Sequence, residues 1–161
     1  MAQIQALPLT ARAFASFGDV LDCAGDPDKI INQGLCGRFH DRAKLDFGPE
    51  GRTGVSLFNA EPRALPYQLE MVERHPEGCQ TFIPMHQNPW LVIVAEPGDI
   101  PGPIHAFIAA PGQAINFHRG TWHGVLTPLQ APGLFAVVDR IGDTPNLQEF
   151  WLKETVSITG P

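Results

Sequence analysis

Trp90-Leu-Val-Ile-Val-Ala-Glu-Pro97-Gly-Asp-Ile-Pro101-Gly-Pro103-Ile-His105-Ala-Phe-Ile-Ala109-Ala-Pro111-Gly112-Gln-Ala114-Ile-Asn-Phe117 decides the fold class. Short apolar runs stand between Pro97-Gly98, Pro101-Gly102-Pro103 and Pro111-Gly112. Each run is too short for a helix and too apolar for a loop, so each reads as a strand. Trp90–Glu96 is apolar without alternation until its last residue, as in a central strand buried on both faces. Outward from this stretch, Val55–Asn59, Tyr67–Glu73, Gln80–Pro84, His105–Ala109, Ala114–Phe117, Gly124–Leu126 and Leu134–Arg140 also read as strands, with a further turn at Pro132-Gly133. One segment reads as a helix. Thr10 caps it, Ala11-Arg-Ala-Phe-Ala-Ser-Phe17 supplies about two turns, and Gly18 ends it. A short helical turn is also expected near Leu147–Lys153. The expectation is a mainly all-β chain, a jelly-roll barrel with a short N-terminal helix.

Composition limits the functions available. The length, 161 residues, suits one domain over residues 1–161. With 43% hydrophobic and 17% charged residues, a packed core is expected. Eleven Lys+Arg against seventeen Asp+Glu gives a net charge of −6, which repels nucleic acid and anionic membrane. No apolar run nears the ~20 residues of a bilayer span. Met1-Ala-Gln-Ile-Gln-Ala-Leu-Pro8 has neither a basic nor an apolar leader region, so a cytoplasmic location is expected. Three cysteines without a C-x-x-C pair support neither a disulfide framework nor a thiolate zinc site. Phosphate-loop, dinucleotide-loop, H-E-x-x-H and G-x-S-x-G patterns do not occur.

The sharpest polar constellation is Gly112-Gln-Ala-Ile-Asn-Phe-His118-Arg119-Gly120-Thr-Trp-His123. A strand carrying Asn116 and His118 on one face meets a turn at Gly120 and returns through His123, so both imidazoles are expected in one cavity. The stretch resembles the second cupin signature, G-x5-P-x-G-x2-H-x3-N, with His118 in the proline position and Thr127 in the asparagine position. The first signature, G-x5-H-x-H-x3,4-E-x6-G, is sought from Gly78, which puts Pro84 and His86 in the histidine positions. His86 and His123 are then the metal candidates, too few for a firmly held ion. Glu73-Arg74-His75-Pro76 ends a strand, Asn32-Gln33-Gly34 leads to Arg38-Phe39-His40-Asp41 on a loop, and Asp139-Arg140 closes an apolar run. Arg74 and His75 point to opposite faces of a regular strand, so only one of them faces the cavity.

These segments carry a wider resemblance. Glu73-Arg-His-Pro-Glu-Gly-Cys-Gln-Thr-Phe-Ile-Pro84 resembles the E-R-H-P-x-G-x-Q-x-F-I-P segment of the ureidoglycolate lyase family. Asn116-Phe-His-Arg-Gly-Thr-Trp-His123 resembles its N-(Y/F)-H-R-x-x-W-H, and Asn32-Gln-Gly-Leu-Cys-Gly-Arg38-Phe-His40-Asp41 its N-x-G-x-x-x-R-(Y/F)-H-D. Asp139-Arg140 and the opening Leu7-Pro-Leu, Phe14 and Phe17-Gly-Asp-Val20 also fit. The resemblance implies a cupin-like double-stranded β-helix and a homodimer. It also implies cleavage of (S)-ureidoglycolate to glyoxylate and urea in allantoin and purine breakdown. No cofactor is required on this reading, although a divalent metal such as nickel is expected to stimulate. The alternatives are a metal-dependent cupin dioxygenase or isomerase acting on a small acid, and a non-catalytic cupin that binds glyoxylate-like acids.

The reaction collapses a carbinol hydroxyl to an aldehyde and expels urea, so it needs a base, an acid and a partner for the carboxylate. His118 and His123 are expected at the reacting carbon, since imidazole can serve either role. Arg74, Arg119 or Arg140 is expected on the carboxylate, because a planar guanidinium matches it. Gln80 and Asn32 are expected to orient the ureido group. Arg38, His40, His75, Asn116 and Asp139 complete the expected substrate-binding set.

Overall fold

The computed structural model describes residues Met1–Pro161. Helix α1 spans only Ala11–Phe14, and the Thr10 hydroxyl accepts the Ala13 N–H at its start. The strands are β1 (Ala2–Gln5), β2 (Leu7–Pro8), β3 (Gly18–Leu21), β4 (Lys29–Ile31), β5 (Cys36–Arg38), β6 (Arg52–Asn59) and β7 (Tyr67–Arg74). They continue as β8 (Gln80–Pro84), β9 (Trp90–Ala95), β10 (Ile104–Ala109), β11 (Ala114–Phe117), β12 (Thr127–Pro128), β13 (Leu134–Ile141) and β14 (Gln148–Thr159). The chain is therefore all-β apart from one helical turn, as a cupin-like fold requires.

Two layers enclose the main core. A five-stranded sheet, β3-β11-β8-β13-β6, faces a four-stranded one, β12-β9-β10-β2. Between them lie Phe82, Phe117, Phe135 and Val137 from the first sheet and Trp90, Val92, Val94 and Phe107 from the second. Phe14 and Phe17 close one end. A second core lies behind β9, where Leu91, Ile93 and Ala95 meet Leu69, Val72 and Ile158 of the third sheet, β1-β14-β7. The two cores explain the unbroken apolar run of β9: alternate residues face different cores, and none is more than 2% exposed. Burying each such side chain is worth ~1.5–3 kcal/mol.

Two expectations about local structure fail. Gln148–Thr159 is a long strand rather than a helical turn near Leu147–Lys153. Phe150 and Leu152 alternate inward against the second core while Trp151 stays 65% exposed, a period of two that the helical reading overlooked. Gly124–Leu126 is not a strand. Instead His123 makes single bridges to Glu73 and Val94, which splice β7 to β9 across the gap between the sheets. No helix is long and apolar enough to cross a membrane.

Candidate active site

The splice at His123 builds the site. Glu73 and His123 exchange both backbone hydrogen bonds at 2.8 Å, so their side chains stand on the same face. His75, two residues on, shares that face. Its ring lies 5.2 Å from that of His123, and His123 stacks flat on Phe117 at 4.3 Å and 7°. Ligand atoms of Glu73, His75 and His123 all lie within 4.8 Å of one another.

Backbone carbonyls fix both rings. His75 Nδ1 donates to the Asn146 carbonyl at 2.8 Å, and His123 Nδ1 to the Gly124 carbonyl at 2.9 Å. A carbonyl can only accept, so in the neutral form of either ring the proton is on Nδ1 and Nε2 carries a lone pair. Both Nε2 atoms are buried without a partner. Burial, and then the neighbouring His75, push the His123 pKa down to about 3, so this ring is neutral at pH 7. Burial raises the Glu73 pKa, as does Glu149, against an opposing pull from His75.

The facing sheet adds a further acceptor. Gln80 pairs in register with Phe117 on one side and Asp139 on the other, which places all three on the inner face. Gln80 Nε2 donates to Asp139 Oδ2 at 3.2 Å, and its Oε1 is buried and unpartnered. The site thus gathers a carboxylate, two imidazole lone pairs and an amide oxygen, all acceptors. An unmatched buried acceptor costs ~1–3 kcal/mol, so several together on one inner face form a donor set for a cation or a proton-bearing ligand.

By spacing, the ligand positions of the first cupin signature fall on this segment, in a register other than the one from Gly78 and without the signature's glycines. Glu73-Arg-His75 stands in the place of H-x-H, and Gln80, after four intervening residues, takes the glutamate position, while Tyr67 and Gln87 stand where the signature has glycine. Glutamate for the first histidine and glutamine for the glutamate disguised it. The spacing alone was the available signal.

The structure separates His118 from His123, against the expectation of one shared cavity. Phe117 points inward, so its neighbours Asn116 and His118 point to the outer face of the five-stranded sheet. The turn at Gly120, φ +78°, then delivers His123 to the inner face. His118 Nε2 meets Asp19 Oδ1 at 3.0 Å, beside an outer cleft of about 340 Å³ lined by Lys44, Asp46, His118 and Arg119. Burial would raise the Asp19 pKa, but hydrogen bonds from the Lys44 N–H, Asn116 and His118 outweigh it and hold the pKa low. Asn116 also accepts from the Thr81 hydroxyl at 2.8 Å.

None of the three expected arginines stands beside the imidazole pair on its face. Arg74 turns to the opposite side, where it binds Gln148 Oε1 at 2.6 Å and the Gly98 carbonyl at 3.0 Å and lies over Trp122. Arg140 lies on the face opposite Asp139, packed against Gly51, Gly78 and Gly142, and donates to Thr144 Oγ1 at 2.8 Å. Arg119 lines the outer cleft, and its Nε donates to the carbonyl of Pro76, next to His75, at 2.7 Å. Its ion pairs with Glu77 and Asp46 are long, at 3.5 and 3.8 Å. Asn32 occupies the left-handed turn between β4 and β5, and Arg38 and His40 are exposed on or just after that hairpin, apart from the imidazoles. His86 is not joined to His123. Its Nδ1 accepts the Asn88 N–H, its ring packs edge-on against Phe135, and burial lowers its pKa.

Comparison with known proteins follows the same line. The profile described as ureidoglycolate lyase matches residues 1–159. A Rhodobacter capsulatus protein named ureidoglycolate lyase is 54% identical over 161 residues, covering 99% of this chain and 100% of its own. A protein of the same name from Mesorhizobium japonicum is 49% identical over 163 residues, with 100% of both chains covered. Another from Pseudomonas aeruginosa is 42% identical over 150 residues, 91% of this chain and 89% of its own.

Proposed function

This chain belongs to the ureidoglycolate lyase family, and from that premise we propose that it is a carbon–nitrogen lyase cleaving (S)-ureidoglycolate to glyoxylate and urea. One observation carries the assignment of the reaction to a place: the buried, unmatched lone pairs of His75 and His123 beside the Glu73 carboxylate. Neither alternative reading, a different metal-dependent cupin or a non-catalytic binder, gains support from the fold or from the relatives.

Glu73, with its pKa raised by burial, is the residue suited to take the carbinol proton. As the C–N bond breaks, its electrons pass to the urea nitrogen, the C–O bond becomes a carbonyl, and Glu73 returns the proton to that nitrogen. With no ion bound, the neutral Nε2 of His123 accepts a hydrogen bond from the substrate. The Gln80 oxygen accepts from the ureido N–H groups. Arg119 is the arginine assigned to the substrate carboxylate, because it is tied to Pro76 beside His75 and its long ion pairs exchange at small cost. A divalent ion fits the same donor set, with His75, His123 and one Glu73 oxygen as the residues that would hold it and the second oxygen left for the proton. When bound, the ion supplies Lewis-acid polarisation of substrate oxygens.

The homodimer is part of the same proposal, and the outer face of the five-stranded sheet supports it. Val55 and Leu57 are 72% and 66% exposed, and Ile83 follows in the same cross-strand row as Leu57 and Ala136. A contiguous apolar face of this kind marks an interface. The expected cytoplasmic location and role in allantoin breakdown complete the reading. The test is release of urea and glyoxylate from racemic ureidoglycolate. Glu73→Gln and His75→Ala are each expected to lower it at least ~10²-fold. Unchanged turnover in both variants rules out this site.

A further inference from the structure

The connection from β13 to β14, Gly142-Asp-Thr-Pro-Asn-Leu147, is exposed at every residue except Asn146. Asn146 is tucked in and used twice. Its backbone carbonyl accepts from His75 Nδ1 at 2.8 Å, and its side-chain Oδ1 accepts from the Glu77 N–H at 2.7 Å. The strap is fastened on both flanks. Before Asn146, the Thr144 hydroxyl accepts from Arg140, whose guanidinium is buried against Gly142. After it, Gln148 accepts from Arg74 at 2.6 Å. Pro145 between the fastenings fixes one backbone angle. Residues 146–148 therefore grip residues 74–77 from one side.

We propose that Asn146 is a positioning residue for His75: it holds the imidazole in its Nδ1–H form and so turns the Nε2 lone pair toward Glu73 and His123. The proposal rests on those three residues being the reactive centre. In the other tautomer, two lone pairs would face each other at the Asn146 carbonyl. The carbonyl belongs to the backbone, and the hydrogen bond that Asn146 Oδ1 accepts from the Glu77 N–H helps to place it. A histidine ligand is commonly set by such an outer hydrogen bond.

The deciding measurement is long-range ¹H–¹⁵N NMR of the full chain with ¹⁵N-labelled histidine. Wild-type His75 is expected as Nδ1–H. Asn146→Ala should convert more than half of it to Nε2–H, whereas Asn146→Asp, which keeps the acceptor, should restore the wild-type form. Nickel titration in parallel should show affinity ~10–100-fold lower in Asn146→Ala. An Nε2–H tautomer in the wild type, or an unaltered tautomer in Asn146→Ala, overturns the proposal. If Asn146→Ala does not fold, Asn146→Ser takes its place. Should the wild type bind no nickel, the ion reading fails alone and the tautomer still decides. Should His75→Ala keep full turnover, the catalytic reading fails while the tautomer measurement stands.

Discussion

Replacing His123 by phenylalanine separates the stability of this fold from its activity. The ring stacks on Phe117 at 4.3 Å, and phenylalanine keeps that contact in nearly the same volume. The change removes a buried acceptor, Nε2, whose missing partner costs ~1–3 kcal/mol. It also leaves the buried Gly124 carbonyl without its donor, at a similar ~1–3 kcal/mol. The two nearly cancel, so His123→Phe is expected within ~1 kcal/mol of the wild type in chelator, or ~2–4 °C in Tm for a chain of this size. Activity should fall at least ~10²-fold. Nickel should separate the two. At one hundred times Kd a bound ion adds ~2.7 kcal/mol to the wild type, and the variant, lacking a ligand, should gain far less. Urea denaturation of both proteins, in EDTA and in nickel, reads all these values. A loss of more than ~3 kcal/mol in EDTA would mean that His123 Nε2 is already satisfied, and the site as a set of unmatched acceptors would be wrong.

Acid should expose the same group. The folded pKa of His123, about 3, lies below the ordinary 6.5, so the unfolded chain binds the extra proton between these values. Stability from this group is complete above pH 6.5 and declines by ~1.4 kcal/mol per unit as pH falls toward 3. Denaturation midpoints against pH should show that slope in the wild type and less of it in His123→Phe. Arg119→Lys should raise KM at least ~10-fold with kcat little changed, since the lysine loses the bidentate geometry for a carboxylate; an unaltered KM rejects the clamp. His118→Asn should cost ~1 kcal/mol or less, as expected for a half-exposed pair with Asp19, and lower kcat less than tenfold. A loss of 10²-fold there would move the chemistry to the outer cleft. Leu57→Asp should shift the chain to monomers in light scattering if the outer sheet face joins two copies.

The strands were legible because their signals are local. Trp90–Ala95, Gln80–Pro84 and Ala114–Phe117 lie within one residue of where periodicity and turn residues put them. The long strand Gln148–Thr159 was not, because charged residues interrupt its alternation and its inward side chains serve a second core formed by distant residues. The parallel pairing of β1 with β14 joins the two ends of the chain, and no local pattern encodes it.

The site is less legible than the strands. Nearness in sequence suggests one face for Asn116, His118 and His123, but a strand alternates at every residue and a turn resets the parity. Phe117 facing the core fixes His118 outward, and the bridge of His123 to Glu73 fixes His123 inward. The partner of His123 is therefore not the histidine five residues earlier but His75, forty-eight residues away by the numbering and adjacent only through that bridge. The expected arginines fail by the same parity. In Glu73-Arg74-His75 the outer residues face the centre and the middle one faces away, just as Asp139 faces inward and Arg140 does not. Charge on alternate residues of a strand end can serve a site on one face and anchor the fold on the other. The Arg74 grip on Gln148 and the Arg140 grip on Thr144 are that second service, and they hold the strap that fixes His75.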